Sequence, residues 1–306
     1  MSSHAHLQQK STKRLDKKLV TFGLAALILA AVVGVALWYF LVKAPHDSAV
    51  AAFDAELVAY DDASAALTER TGDLDESIAS LQAVIDSDEQ PLELELLVSA
   101  GAAIGTAQGA REEAPAAPTR PTSTSEIEVA AAEMPALVTT IEGLGSYDDE
   151  IAALEASRDT LQRSIEQRKQ VTNPSEAFVI ERIQSLPGVA GVQAVTEDND
   201  PNGNLNKQGG YTATVYLSSA LVDQSAVIGT DIVEKGTEGG GAVEVYETVD
   251  EATARDEYLA LFDGGILRSG SHVVLGTVVI RTSDNLTATQ QRELESAIHD
   301  ALIRID

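Results

Sequence analysis

The residues best suited to chemistry form a short run rich in acids and amides. Asp198, Asp200, Asn202 and Asn204 alternate with other residues, and the sixth position of the run is a glycine. Oxygen ligands at alternate positions followed by that glycine are the first half of an EF-hand Ca²⁺ loop. The twelfth position is Gly209 instead of a bidentate glutamate, so the missing carboxylate must come from elsewhere. The spacing indicates a candidate Ca²⁺ site, with a turn-rich connection between two strands as the alternative.

Other groups give weaker signals. The chain has no cysteine, which excludes disulfides, thiolate metal sites and cysteine nucleophiles. His272 and His299 lack metal-ligand spacing, and the glycine-rich run 236–241 lacks the lysine and hydroxyl of a phosphate-binding loop. Arg255 and Arg281 are expected to form structural ion pairs, with an anion site as the alternative. Since no nucleophile, base and orienting group occur together, we expect no enzyme and no cofactor other than Ca²⁺.

Charge is distributed unevenly along the 306 residues. Residues 1–18 carry five basic side chains against one acid, and residues 19–42 carry no charge. The remainder has 16 basic and 47 acidic residues, a net charge of −31. So acidic a chain repels phosphate backbones, and nucleic acid is therefore excluded as a partner.

Residues 19–42 form an apolar run of 24 residues that ends near Trp38, Tyr39 and Phe40. A helix of that length spans roughly 36 Å, enough to cross a bilayer core of about 30 Å. The basic tail at 1–18 predicts a cytoplasmic N-terminus and an extracytoplasmic C-terminus in the cell membrane. A cleaved signal peptide with its site at 49–51 is the alternative, but the run is longer than the usual signal segment.

Residues 47–172 read as an extracytoplasmic helical region. Apolar residues recur at heptad spacing from Val50 to Ile85, which favours a coiled coil or an antiparallel bundle. The segment 112–124 is rich in proline and threonine and predicts a loop. Ser125, with Glu128 three residues later, predicts the start of the next helix.

Residues 173–306 read as an α+β domain. Asn173 is expected to cap its first helix, and two later capping boxes begin at Thr248 and Thr287. The strand-like segments are 189–196, 211–217, 242–246 and 273–281. The order of elements predicts a two-layer sandwich of four strands with helices on one face, with a ferredoxin-like arrangement as one form of it.

Several stretches of this domain carry a family resemblance. They are Thr196–Asn202, Gly209–Ala213, Gly240–Tyr246, Arg255–Leu259 and Gly276–Ser283. Through them the domain resembles a C-terminal domain of actinobacterial secreted lipoproteins and membrane-anchored proteins, including bifidobacterial proteins labelled EbhA. The resemblance implies a cell-envelope location and an α+β fold, and it implies no activity.

Three hypotheses of function follow. The first is a non-enzymatic cell-envelope scaffold or interaction protein, in which a helical stalk presents the α+β domain to a protein partner. The second is a single-span component of a pilus-assembly (PilN/PilO-like) or division machine that pairs through its coiled coil. The third is an extracellular module that binds Ca²⁺ or a small ligand.

Overall fold

The computed structural model describes residues 17–265 and 270–305, with side chains from residue 24 onward. Its helices are α1 (Lys17–Trp38), α2 (Ala44–Ile85), α3 (Glu95–Gly109), α4 (Thr124–Glu142), α5 (Asp148–Gln170), α6 (Glu176–Ile183), α7 (Ile232–Lys235), α8 (Val249–Ala260) and α9 (Ala288–Ile303). A π-helical turn, Tyr39–Lys43, joins α1 to α2. The strands are β1 (Val189–Ala194), β2 (Ala213–Ser219), β3 (Gly240–Val245), β4 (His272–Leu275) and β5 (Val278–Thr282).

The N-terminal helix is apolar and exposed. Within its described part, Leu27, Leu29 and Val35 each leave about two thirds of their surface uncovered. Among the described residues, this stretch is the one helical segment long and apolar enough to cross a membrane.

The chain divides into two compact units. One comprises the residues up to Asp73 together with Arg111–Tyr147, and the other comprises Leu74–Ala110 and Asp148 onward. Helix α2 contributes residues to both units because it continues unbroken through Gly72.

In the first unit, α2 and α4 run parallel. His46 Nδ1 lies 3.2 Å from Thr124 Oγ1 near the start of both helices, and Arg70 donates to the Leu144 carbonyl (3.0 Å) beyond the end of α4. Their shared core includes Phe53 and Ile127. The predicted antiparallel packing is therefore wrong for this pair.

A proline-rich return segment explains the parallel arrangement. A helix that packs parallel to α2 must start near the start of α2, and the chain between α3 and α4 returns along α2 to that end. Tyr60 donates to the Pro115 carbonyl (2.6 Å), and Arg120 pairs with Asp54 at 2.8 Å. The predicted loop at 112–124 is thus a packed part of the unit; it ends at Ser123, where α4 begins.

In the second unit, α3 packs against α5. The Leu92 amide just before α3 donates to the Ser164 carbonyl (3.0 Å) near the end of α5. Because α5 ends soon afterwards at Gln170, α3 stays in contact only by running back toward the start of α5. This pair has the antiparallel packing that the sequence predicts.

Two helix starts differ from the predicted ones. Ser123, and not Ser125, caps α4 by accepting from the Glu126 amide, and Ser175, and not Asn173, caps α6. Asn173 instead adopts a positive φ of 45°. The boxes at Thr248 and Thr287 are confirmed. Ser, Thr and Asn all suit the cap position, so two such residues close together give similar local signals.

The sheet has five strands in the order β1-β2-β3-β5-β4, and every neighbouring pair is antiparallel. The predicted strand 273–281 is a hairpin, since Gly276, with a φ of 59°, turns the chain between β4 and β5. From β3 the chain leads through α8 to β4, which runs parallel to β3 with β5 paired between them. The expected four strands are corrected to five, and the ferredoxin-like order is corrected because α9 is followed by no strand among the described residues.

Helices cover both faces of the sheet, so the predicted two-layer sandwich is also corrected to three layers. One face, with Leu217 and Ile280, packs against α6 and α9, and the other, with Tyr216 and Val279, packs against α7 and α8. Strands β3 and β5 are buried at every position as a result. Polar residues within those strands must find partners inside the protein.

The exposed face of α3 offers a simple stability test. Gly105 lies inside the helix, and a Cβ added there meets no atom within 4 Å. Because alanine lowers the entropy of the unfolded chain without a clash, Gly105→Ala should raise the free energy of unfolding by about 0.4–1 kcal/mol. Thermal unfolding by circular dichroism measures the change. A loss of stability would mean that α3 bends at this residue in the folded protein.

Candidate functional site

The loop that joins β1 to β2 is organised by Asp200. Its Oδ1 accepts from the Asn202 amide (3.0 Å) and from the Tyr211 hydroxyl, and its Oδ2 accepts from the Leu205 amide (2.8 Å). Burial alone would raise the pKa of Asp200, but the bond from Tyr211 and these amides outweigh it and hold the pKa below its usual range. Asp200 is therefore ionised, and its hydrogen bonds hold the loop in this conformation.

The other predicted Ca²⁺ ligands lie nearby but have different surroundings. Asp198, Asn202 and Asn204 are exposed, and the two asparagines line a pocket described below. Among the described residues, no three His, Cys, Asp or Glu side chains converge as metal ligands. Both oxygens of Asp200 already accept hydrogen bonds within the loop. The Ca²⁺ site stays a prediction.

Behind this loop, an ion cluster is buried between the sheet and α8. Glu244 on β3 is fully buried, and its carboxylate accepts from Arg281 on β5 at 2.7 Å. Arg255 on α8 binds the same carboxylate with two nitrogens, at 2.8 Å and 3.0 Å. This two-pronged geometry gives charge-assisted hydrogen bonds and fixes the guanidinium plane.

Tyr246 completes the cluster by donating to Glu244 Oε2 (2.9 Å). Burial would raise the pKa of Glu244, but the bonds and charges of Arg255 and Arg281 outweigh it and keep the pKa below its ordinary value. Burial and the neighbouring Glu244 raise the pKa of Tyr246. The carboxylate is thus ionised and the phenol is neutral at physiological pH, which is a stable structural pairing rather than a poised acid and base.

The sequence predicted the two arginines of this cluster but not their shared partner. Arg255 and Arg281 were expected to form ion pairs, and they do, but Glu244 was missed. Its acidic side chain in the segment Ala242–Tyr246 looks like a solvent-facing position of an ordinary half-buried strand. The partners lie 11 and 37 residues away, so local spacing could not reveal them.

A pocket of about 430 Å³ opens beside the cluster, between the β1–β2 loop and α8. Asn202 and Asn204 lie on the loop side, Arg255 and Tyr258 on the helix side, and Tyr246 at the base. It is the place where the predicted loop and the predicted arginine meet. The structure therefore joins two features that the sequence presented separately.

His272 lies on β4, at the edge of the same sheet face. Its Nδ1 lies 2.6 Å from Asp256 Oδ1 on α8, and its Nε2 lies 3.4 Å from Asp263 Oδ1. The neighbouring Ser271 hydroxyl bonds to Thr282 and Glu295. His272 therefore joins α8 to the sheet, and Ser271 has structural partners of its own.

The glycine-rich run is part of the fold. Gly236–Gly239 form a short 3₁₀ turn, and Gly240 and Gly241 begin β3. A Cβ on Gly241 would lie 2.4 Å from the Arg281 carbonyl oxygen. Close approach of neighbouring strands explains this glycine.

Comparisons of the chain with protein-family models, with curated proteins and with solved structures found no significant match. The resemblance of residues 173–306 to actinobacterial envelope proteins stays a prediction. The fold and the pocket describe an α+β protein with one apolar N-terminal helix and an open polar pocket.

Proposed function

We propose that this chain is a membrane-anchored extracytoplasmic protein, a non-enzymatic scaffold or interaction protein of the cell envelope. The observation that carries the proposal is the exposed apolar helix: Leu27, Phe40 and Leu41 leave about 70% of their surface uncovered. An apolar surface of this extent is costly in water and favourable in a bilayer. The lipid bilayer is thus the first partner.

Charge and packing support the direction and permanence of the anchor. The five basic residues before the span favour a cytoplasmic N-terminus. The helix continues from the span into α2, where Ala49 and Phe53 are buried in the first unit's core. Cleavage near Ala51 would remove part of that core, which favours an uncleaved anchor over a signal peptide.

The packing of α2 favours a scaffold over a machine component that pairs through its helices. The heptad residues Phe53, Tyr60 and Leu67 are buried against other segments of the same unit. A coiled coil with a second protein needs such a seam to be free. The helices of the first unit thus use this seam within one chain, which favours the α+β domain as the element available for recognition.

Single-cysteine labelling tests the topology, because the chain has no native cysteine. Ser3→Cys and Thr289→Cys, each in the full-length chain, are treated in protoplasts with a membrane-impermeant maleimide. We expect Thr289→Cys, exposed on α9, to be labelled in intact protoplasts, and Ser3→Cys to be labelled only after permeabilisation.

The cysteine-free parent chain measures background labelling, and extraction at alkaline pH separates anchored from peripheral protein. Labelling of Ser3→Cys in intact protoplasts would reverse the orientation. A mature chain that lacks residue 3 would replace the anchor with a cleaved signal peptide. Recovery of the intact chain in the soluble fraction would reject the membrane anchor altogether.

A further inference from the structure

The pocket between the β1–β2 loop and α8 has the chemistry of a small-ligand site. Its volume of about 430 Å³ lies within the usual range of roughly 300–1,000 Å³ for ligand pockets. Neither the anchor nor the scaffold proposal uses it. The groups that line it indicate which class of ligand it would recognise.

The walls are held in place before any ligand arrives. Two bonds to Glu244 fix the Arg255 guanidinium, and the Tyr246 hydroxyl donates to the same carboxylate. On the other side, Asp200 holds the Tyr211 hydroxyl and the backbone of the loop. A site whose walls are already ordered loses little conformational entropy on binding.

The groups that a ligand can reach are an exposed aromatic ring and several polar groups of the lining. Tyr258 is 52% exposed, and its ring lies 5.6 Å from the Arg255 guanidinium carbon and edge-on to Phe262. The Asn202 and Asn204 carboxamides are exposed at the rim. A carboxamide both donates and accepts, and an aromatic face packs against flat C–H surfaces.

Charge narrows the ligand class. The pocket is lined by one acid, Glu251, and one base, Arg255, so its lining is neutral overall. The rest of the chain is strongly acidic, which opposes anionic ligands at long range. A cation would meet the nearby guanidinium of Arg255. The lining therefore suits a neutral ligand that has many hydroxyl groups.

We propose that this pocket binds a neutral saccharide. A sugar ring presents hydroxyls that donate and accept around its edge, which match the carboxamides of Asn202 and Asn204 and the charged side chains of Glu251 and Arg255. It also presents an apolar C–H face, which matches the exposed ring of Tyr258. The pocket is open on one side, so a longer glycan chain would leave toward solvent while one end unit occupies the site.

The test uses the full-length chain in a zwitterionic detergent, because detergents with sugar headgroups would compete. Saturation-transfer NMR screens a panel of trisaccharides built from glucose (α-linked and β-linked), mannose, galactose and N-acetylglucosamine. Titration of any trisaccharide that binds then gives its Kd. We expect at least one to bind saturably. Tyr258→Ala and Asn204→Ala should each weaken that binding tenfold or more.

Two control variants match these changes outside the pocket lining. Leu261→Ala shortens an exposed side chain just after α8, and Gln208→Ala removes an exposed carboxamide from the same loop. Both should leave Kd unchanged, and near-ultraviolet circular dichroism verifies that the remaining tyrosines keep their packing in every variant. Tyr258→Phe keeps the ring and should retain binding.

The proposal is overturned if no sugar of the panel binds, or if binding survives both Tyr258→Ala and Asn204→Ala. It is also overturned if the controls weaken binding as strongly as the pocket variants. Saturable binding of a tripeptide, tested in parallel and lost in Tyr258→Ala, would assign the pocket to peptides instead.

Discussion

Replacing Glu244 with glutamine is expected to lower the free energy of unfolding of the second unit by about 3–5 kcal/mol. The substitution removes the one carboxylate that Arg255 and Arg281 share, and it leaves two guanidinium groups facing each other with little water. The Nε of Arg281 already lacks a hydrogen-bond partner among the described residues. The cluster therefore has no spare acceptor to take over.

Glu247→Gln is the matched control, since it is the same substitution three residues further on at an exposed position. We expect that variant to unfold within about 0.5 kcal/mol of the parent chain. Denaturant unfolding of the full-length chain, followed by near-ultraviolet circular dichroism of the tyrosines, measures both. Equal stabilities of Glu244→Gln and the parent would show that the ion cluster does not hold β3, β5 and α8 together.

Lowering the pH should weaken the contribution of the same ion cluster to the free energy of unfolding. The folded-state pKa of Glu244 lies below its unfolded value, so its contribution is complete above the unfolded value of about 4.3 and is lost as pH falls through the folded one. The stability difference between the parent chain and Glu244→Gln should therefore stay constant near neutral pH and shrink below about pH 4. A difference that shrank between pH 8 and pH 6 would contradict this assignment.

Local features of the sequence predicted most of the helices. The apolar positions Phe53, Tyr60 and Leu67 are buried as their heptad spacing indicates, and the boxes at Thr248 and Thr287 cap α8 and α9. Each of these signals involves residues only a few positions apart, so it can be recognised from the local sequence. What the helices pack against is a separate matter, which spacing alone does not decide.

The parts that sequence reasoning missed depend on distant partners. Gly276 turns one predicted strand into a hairpin through its positive φ of 59°. A Cβ there would also lie 2.4 Å from the carbonyl oxygen of Val171, more than a hundred residues earlier. Glu244 looks solvent-facing until α8 covers its side of the sheet. The pocket likewise needs the β1–β2 loop and α8 to meet. The β1–β2 loop and α8 are too far apart in sequence for a local pattern to include both.

The β1–β2 loop provides the second large effect. Asp200→Ala should lower the free energy of unfolding by about 2–3 kcal/mol, because an ionised carboxylate that accepts several hydrogen bonds is lost and the buried Tyr211 hydroxyl loses its acceptor. Asp198→Ala is the matched control in the same loop. Asp198 is exposed, and we expect its removal to leave stability unchanged in a chelator.

Adding Ca²⁺ distinguishes a purely structural role of Asp200 in the loop from a role as a metal ligand. If the loop binds Ca²⁺ through Asp198, Asp200, Asn202 and Asn204, millimolar Ca²⁺ raises the Tm of the parent chain, since binding to the folded state stabilises it. Asp198→Ala then abolishes this rise without changing the Tm measured in chelator, whereas Asp200→Ala lowers both. An identical Tm of the parent chain in Ca²⁺ and in chelator would reject the Ca²⁺ site. Asp200 would then remain a structural residue that shapes the pocket wall.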